Sequence, residues 1–276
     1  MTRLLRGIAY TVLPGELVLM VCLVAGTRPP APVLVAAEVV VLLLLLTEAA
    51  AFVRLRREGR TSRECVEELV PRAVLRLIGH ELRLMWSLVL WAARRRDGVG
   101  PDDQAFGHAR DGAALLLGFT FVCVVETVGM SFLLADVPVV HEIVLVLDVY
   151  TVAFMLGLYA ASAARPHVLS ADTLRLRQAA HVDIRIPLES IATVSYELLF
   201  SHDKKEEGVL NLAVGAQTSL TLELSEPVTS VGLLGRERRV HTVRCHADDA
   251  RALLAALTRA RTAHMGRTDR TDRTPV

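Results

Sequence analysis

Five carboxylates lie inside long apolar stretches of the sequence, where an ionised acid has little water to solvate it. They are Glu16, Glu38, Glu126, Glu142 and Asp148. No Lys or Arg occurs within the interior of these stretches, so an ion pair along one helix cannot neutralise the acids. Such acids are protonated, hydrated in a cavity, or bound to a cation. Their positions therefore predict a polar centre within an apolar region.

Three of these acids are expected at one depth. Glu16 lies eleven residues before Thr27, and Glu126 and Asp148 lie eleven residues before and after Val137. In helices, this spacing places all three about 16 Å from the same boundary. They form either protonated acids that bridge helices, or a site that binds a cation or relays protons. The residues expected at the entrance of that site are Glu38, His141 and Glu142.

Four apolar stretches would position these acids. They are Ile8–Gly26, Val33–Val53, Ala113–Ala135 and Val139–Ala164. Each is long enough to cross a hydrocarbon core of about 30 Å as a helix. The composition agrees, because 52% of the residues are hydrophobic and the mean hydropathy is +0.41. It excludes a disordered chain, a collagen and a disulfide scaffold, and it predicts a multi-pass protein of the plasma membrane or inner membrane.

The arginines predict the orientation of the stretches. Arg3 and Arg6 precede the first stretch, twelve arginines lie in the 54–112 connection, and Arg165 follows the fourth stretch. The other two connections contain only Arg28. Because basic residues concentrate on the cytoplasmic side, both termini are expected to be cytoplasmic. Residues 1–53 and 113–164 would then form two transmembrane hairpins.

The 54–112 connection contains a predicted amphipathic helix at about residues 71–96. Its apolar residues recur at spacings of three and four, and arginines are interleaved with them. Trp86 and Trp91 with flanking arginines favour a helix that lies in the inner headgroup region. The alternative is a helix packed under the C-terminal domain. Asp97–Asp111 is expected to be an irregular connection.

The C-terminal part, residues 167–262, has the alternating pattern of β-strands. Leu174 and Leu176 alternate with Arg175 and Arg177, and several further short strands follow. The helix after Asp249 carries one apolar stripe. The pattern predicts six or seven antiparallel strands closed by one helix. Residues 263–276 repeat Arg-Thr-Asp and are expected to be disordered.

Four segments of this domain carry a family resemblance. They are Leu174–Arg177, Ile186–Ile191, Leu222–Val228 and His246–Asp249. The domain resembles bacterial pleckstrin-homology-like (PH-like) domains, and the whole chain is similar to uncharacterised bacterial integral membrane proteins with such a tail. The resemblance implies membrane-associated scaffolding or ligand sensing, and catalysis is not typical of the family. It therefore predicts a fold and not an activity.

Arginines of the strands form a candidate lipid-docking face. Arg175, Arg177 and Arg185 would meet anionic inner-leaflet lipid at about 1 kcal/mol each. The alternative is that the three arginines belong to a solvated face of the sheet.

Two hypotheses of function remain from the sequence. No nucleotide-binding loop, nucleophile elbow, zinc motif or calcium-binding loop occurs, and a net charge of +1 does not favour nucleic acid as a partner. The first hypothesis is a non-enzymatic, membrane-anchored binding or regulatory module that meets a protein or the inner leaflet. The second is a membrane-embedded transporter or enzyme that uses the acids. No cofactor is predicted, apart from a candidate cation at the acids.

Overall fold

A computed structural model describes residues 30–200 and 206–271. The predicted stretch Ile8–Gly26 and its acid Glu16 lie outside the described residues, as do the N-terminal arginines Arg3 and Arg6. The contacts within the chain divide it into two units, residues 1–75 and residues 76–276.

The first unit contains two helices. Helix α1, Ala31–Arg57, covers the predicted stretch 33–53, and three arginines lie in its last turn. Helix α2, Ser62–Leu69, begins with a capping box. The Thr61 Oγ1 accepts a hydrogen bond from the backbone N–H of Glu64, and the Glu64 carboxylate accepts one from the N–H of Thr61. These two bonds satisfy donors that the start of a helix leaves unpaired.

The second unit contains most of helix α3, Arg72–Ala92, and two long apolar helices. These are α4, Arg110–Leu133, and α5, Pro138–Ala164. Within the described residues, α4 and α5 are the two helices that are long and apolar enough to cross a membrane. In the most apolar 18-residue segment of each helix, only 6% of the residues of α4 and 11% of those of α5 are buried. A core helix of a soluble protein, in contrast, is mostly buried. This exposure favours membrane association of the chain.

The C-terminal part is rich in sheet, as the alternation predicts. The first sheet has the order β1-β2-β3-β4 and is antiparallel. Its strands are β1, Gln104–Phe106; β2, His167–Leu169; β3, Thr173–Gln178; and β4, Val182–Pro187. The second sheet has the order β5-β7-β8-β6. Its strands are β5, Ile191–Leu199; β6, Val209–Leu212; β7, Thr218–Val231; and β8, Glu237–Cys245.

One apolar core joins both sheets to helix α6, Ala250–Thr271. The buried side chains alternate along the strands, as Leu174 and Leu176 do in β3. Helix α6 contributes Leu253 and Leu257, which are each 1% exposed. The apolar stripe predicted for this helix therefore faces the sheets.

Three features differ from the sequence expectations. Strand β1 lies in the segment 97–111 that was expected to be irregular, because three residues at a sheet edge are too few to show alternation. Strand β6 pairs parallel to β8, although antiparallel strands were expected, because a strand pattern does not encode direction. The backbone of α6 continues to Thr271, beyond residue 262, where the domain was expected to end.

Candidate functional site

The predicted acids of α4 and α5 lie on neighbouring helices joined by a tight turn. Glu126 is exposed on α4, and Asp148 is half-buried on α5. The Oδ2 atom of Asp148 is shielded and has no hydrogen-bond partner among the described residues. Glu16 and the side chain of Glu38 lie outside the described part of the chain, so the predicted set of three acids stays a prediction.

The predicted entrance residues of α5 differ in exposure. Glu142 is exposed, whereas His141 is half-buried. The Nε2 atom of His141 is shielded and, within the described residues, has no partner. His141 and Asp148 are two helical turns apart and therefore share one face of α5. That face carries two shielded polar groups in an otherwise apolar helix.

The structure does not support a docking face of three exposed arginines. Arg177 is 2% exposed, and its guanidinium donates hydrogen bonds to the carbonyls of Asp97, at 2.7 Å, and Gly98, at 3.1 Å. Arg175 is held by two hydrogen bonds to the carboxylate of Asp183. Only Arg185 is exposed. The prediction fails at Arg177 because the 97–98 segment covers that side chain, which alternation along one strand cannot indicate.

Helix α3 packs on α5 and on the turn between β3 and β4. Leu84 is fully buried and packs in one cluster with Ala161, Ala179 and Ala180. The hydroxyl of Tyr150 donates a 2.6 Å hydrogen bond to Glu81, and Trp91 meets Tyr159 edge to face. One face of the predicted amphipathic helix is therefore buried, as in the alternative of a helix packed under the C-terminal domain.

The opposite face of α3 is apolar and exposed. It carries Ile78, Leu82, Trp86 and Val89, which are between 47% and 65% exposed. Their spacings of four, four and three place them along one stripe. The helix thus contacts the protein on one side and presents an apolar surface on the other. That surface fits the predicted location in a headgroup region.

Two buried histidines stack on each other where the start of α4 meets the start of β2, and the sequence did not predict this pair. The rings of His108 and His167 are 4.5 Å apart between centroids and nearly parallel, and each residue is 1% exposed. The Nδ1 atom of His167 accepts the N–H of Arg177, and its Nε2 donates to the carbonyl of His246. Neither ring nitrogen of His108 has a partner in the described chain. These histidines are far apart in sequence, so no spacing predicts the pair.

The surroundings keep both rings neutral. Burial, with a contribution from neighbouring His167, lowers the pKa of His108 to about 2. Burial likewise lowers the pKa of His167 to about 4. Among the described residues, no group of three or more acidic, His or Cys side chains is arranged to hold a metal ion. The pair is therefore an acid-sensitive part of the packing between β1, β2 and the start of α4.

The chain was also compared with known proteins. No protein family, curated protein or solved structure matches it.

Proposed function

We propose that the chain is a four-span bacterial membrane protein that carries a PH-like domain on the cytoplasmic side of the plasma membrane or inner membrane. It acts as a non-enzymatic binding or regulatory module, with both termini in the cytoplasm. The inner leaflet is the partner that the described residues favour.

The observation that carries this proposal is the direct attachment of the sheets to both apolar helices. The backbone N–H of Asp97 donates to the carbonyl of Ala164, the last residue of α5, and β2 begins three residues later. The backbone N–H of Arg110, the first residue of α4, donates to the carboxylate of Asp248. Both helices therefore end on the sheet domain, which fixes the orientation of the domain relative to a membrane that they cross.

The arrangement of the sheets supports the PH-like assignment. Two four-stranded sheets share a core, and a C-terminal helix closes it. This is the order of strands followed by one helix that the resemblance implies. The parallel pairing of β6 with β8 is a feature that the resemblance did not lead us to expect.

The outer face of α3 supports lipid as the partner. Its apolar stripe includes Trp86, a residue type that favours the interface between headgroups and acyl chains. The opposite face of α3 contacts α5 through Leu84 and Glu81. These contacts position the apolar stripe beside the apolar helices. The module would thus rest on the leaflet that its own helices cross.

Tryptophan fluorescence tests this placement, since Trp86 and Trp91 are the two tryptophans of the chain. In the full chain with Trp91→Phe, reconstituted in nanodiscs, we expect lipid brominated on the acyl chain to quench Trp86 by more than half. The matched control carries Trp86→Phe, Trp91→Phe and Tyr196→Trp, which moves the only tryptophan to an exposed position on β5. Quenching of Trp86 no stronger than at residue 196 would refute the placement of α3 in the membrane.

A second function is favoured by the shielded groups on α5. Asp148 and His141 lie on one face, each with a polar atom that has no partner in the described residues. A transporter of protons or a cation would use such groups together with Glu126 and Glu16. The two functions differ in their response to Asp148→Asn. If the chain is a binding module, Asp148→Asn leaves both the quenching of Trp86 and its dependence on pH unchanged. If Asp148 belongs to a proton-handling site, the variant loses that dependence on pH.

A further inference from the structure

A basic pocket lies between α3 and the loop that joins β7 to β8. Its volume is about 240 Å³, less than the roughly 300–1,000 Å³ of pockets that enclose a drug-sized ligand. Arg76 and Arg83 of α3 line one side, and His181 and Asp183 line another. Val231, at the end of β7, and Gly232 and Leu233 of the loop line the remaining side. Its size suits a headgroup and not a whole lipid.

The charge of this pocket is positive. Asp183 is its acidic group, and Arg175, which does not line the pocket, already neutralises that carboxylate through two hydrogen bonds. Arg83 is anchored by hydrogen bonds from its Nε and Nη1 to the carbonyls of Gly79 and Ala180, and neither bond uses its Nη2. Arg76 makes no salt bridge within the described residues. Two guanidinium groups therefore retain donors for an anion.

The loop between β7 and β8 is shaped around Arg76. Gly235 has a φ of +88°, a conformation that glycine adopts most readily. A Cβ atom built on Gly235 would lie 2.6 Å from the Nη1 atom of Arg76. The guanidinium of Arg76 thus lies directly against the backbone of Gly235. A Cβ at this position would displace the guanidinium of Arg76.

The rim of the pocket is apolar. Val231 and Leu233 line the pocket and are 40% and 36% exposed. A soluble inorganic anion has no apolar atoms that could contact such a rim. A lipid, in contrast, carries glycerol and acyl carbons next to its headgroup. The combination of a basic floor with an apolar rim distinguishes a lipid from free phosphate.

We infer that this pocket binds the phosphate of an anionic phospholipid of the inner leaflet, with Arg76 and Arg83 as its ligands. The inference deepens the proposed function, because it rests on α3 and the sheet domain lying at the leaflet. The pair Arg76 and Arg83 replaces the face of strand arginines that the sequence indicated. Arginine forks donate two hydrogen bonds to a phosphate, which gives geometric preference as well as attraction.

Native mass spectrometry of the full chain in detergent micelles tests the inference. The probes are phosphatidylglycerol and phosphatidylcholine with identical acyl chains, and inorganic phosphate as a competitor. We expect phosphatidylglycerol to bind more tightly, and Arg76→Gln and Arg83→Gln each to weaken its binding about fivefold. Gly235→Ala should also weaken it, although both charges remain. Arg259→Gln, an exposed arginine of α6 outside the pocket, is the matched control and should have no effect.

Three results would overturn the inference. They are equal affinity for the two lipids, equal losses for the Arg259 and Arg76 variants, and displacement of phosphatidylglycerol by an equal concentration of inorganic phosphate. The last result would assign the pocket to a soluble phosphate. Quenching of Trp86 by brominated lipid together with any of these results would reject the pocket while leaving the proposed function intact. Absence of that quenching would reject the proposed function itself.

Discussion

The stacked histidines differ in what their ring nitrogens do. His167 donates to one backbone carbonyl and accepts from one backbone N–H, whereas both nitrogens of His108 are without partners among the described residues. The two rings therefore have different roles. His108 fills space and stacks, and His167 connects the ends of three chain segments through its hydrogen bonds. His167 must be neutral because its Nδ1 is an acceptor, whereas burial keeps His108 neutral.

We expect the protein to lose stability in mild acid because of these rings. The pKa of His167 falls from an unfolded value near 6.5 to about 4 in the folded chain, so the unfolded state takes up protons first. The stabilising contribution is fully present above about pH 6.5 and is lost as the pH falls toward 4. His167 alone should decrease the free energy of unfolding by up to about 3 kcal/mol over this window, and His108, whose pKa is lowered to about 2, should add to the loss. The apparent Tm of the full chain in micelles, measured between pH 7.5 and pH 4, reports this loss.

Phenylalanine variants separate the two roles. His108→Phe loses no hydrogen bond and should leave the apparent Tm at pH 7.5 unchanged or higher, with a smaller acid loss. His167→Phe leaves two buried groups unpaired and should cost about 1–3 kcal/mol at pH 7.5. The control is His241→Gln, which alters an exposed histidine. Equal destabilisation by both phenylalanine variants at pH 7.5 would contradict the distinct roles.

At this scale the sequence predicts types of residue better than partners. The alternation in β3 correctly buries Leu174 and Leu176, since period two reports one face of a strand. It fails at Arg177, because the segment that covers it comes from residues 97–98. The histidine pair and the basic pocket are assembled from distant segments. No local pattern contains that information.

Helix α3 is the element that connects the sheets with the apolar helices. Its existence and amphipathic character follow from apolar spacing, and the helix begins at Arg72, one residue after the predicted start. Its end differs from the predicted residue 96, since α3 stops at Ala92 and Arg94 has a left-handed φ of 53°. Which of its faces is buried depends on α5 and the β3–β4 turn. The sequence alone left those alternatives open for that reason.

The close approach of α3 to α5 depends on a glycine. A Cβ at Gly157 would lie 3.4 Å from the Cβ of Leu84, so a larger side chain must push α3 away. We expect Gly157→Leu to lower stability by about 1–3 kcal/mol, as overpacking does. It should also increase the exposure of Trp91, which meets Tyr159 of α5 edge to face, to iodide. Apparent Tm and iodide quenching of the full chain are the measurements.

Gly129→Leu is the matched control for this change. Gly129 lies on α4, and a Cβ built there meets no atom within 4 Å. The same increase in side-chain volume should therefore cost little at this position. Equal losses of stability in the two leucine variants would contradict the claim that the close approach of α3 to α5 depends on Gly157.

At the scale of the whole molecule, the exposed apolar surface decides the interpretation. Helices α4 and α5 are largely uncovered, and both end on the sheet domain. Apolar length predicts such helices well, because crossing a membrane imposes a fixed span of about twenty residues. Strand direction and the sharing of a core between sheets follow from tertiary contacts, so the sequence predicts them only in outline.

The central claim is that α4 and α5 cross the membrane and hold the sheet domain on the cytoplasmic side. Labelling of single cysteines in intact cells tests it most directly, in a chain whose four native cysteines are replaced. Ala135→Cys lies in the turn between α4 and α5, and Glu189→Cys lies on an exposed turn of the sheet domain. We predict that a membrane-impermeant maleimide labels residue 135 in intact cells and residue 189 only after permeabilisation. Labelling of residue 189 in intact cells, or failure to label residue 135 there, would contradict the account.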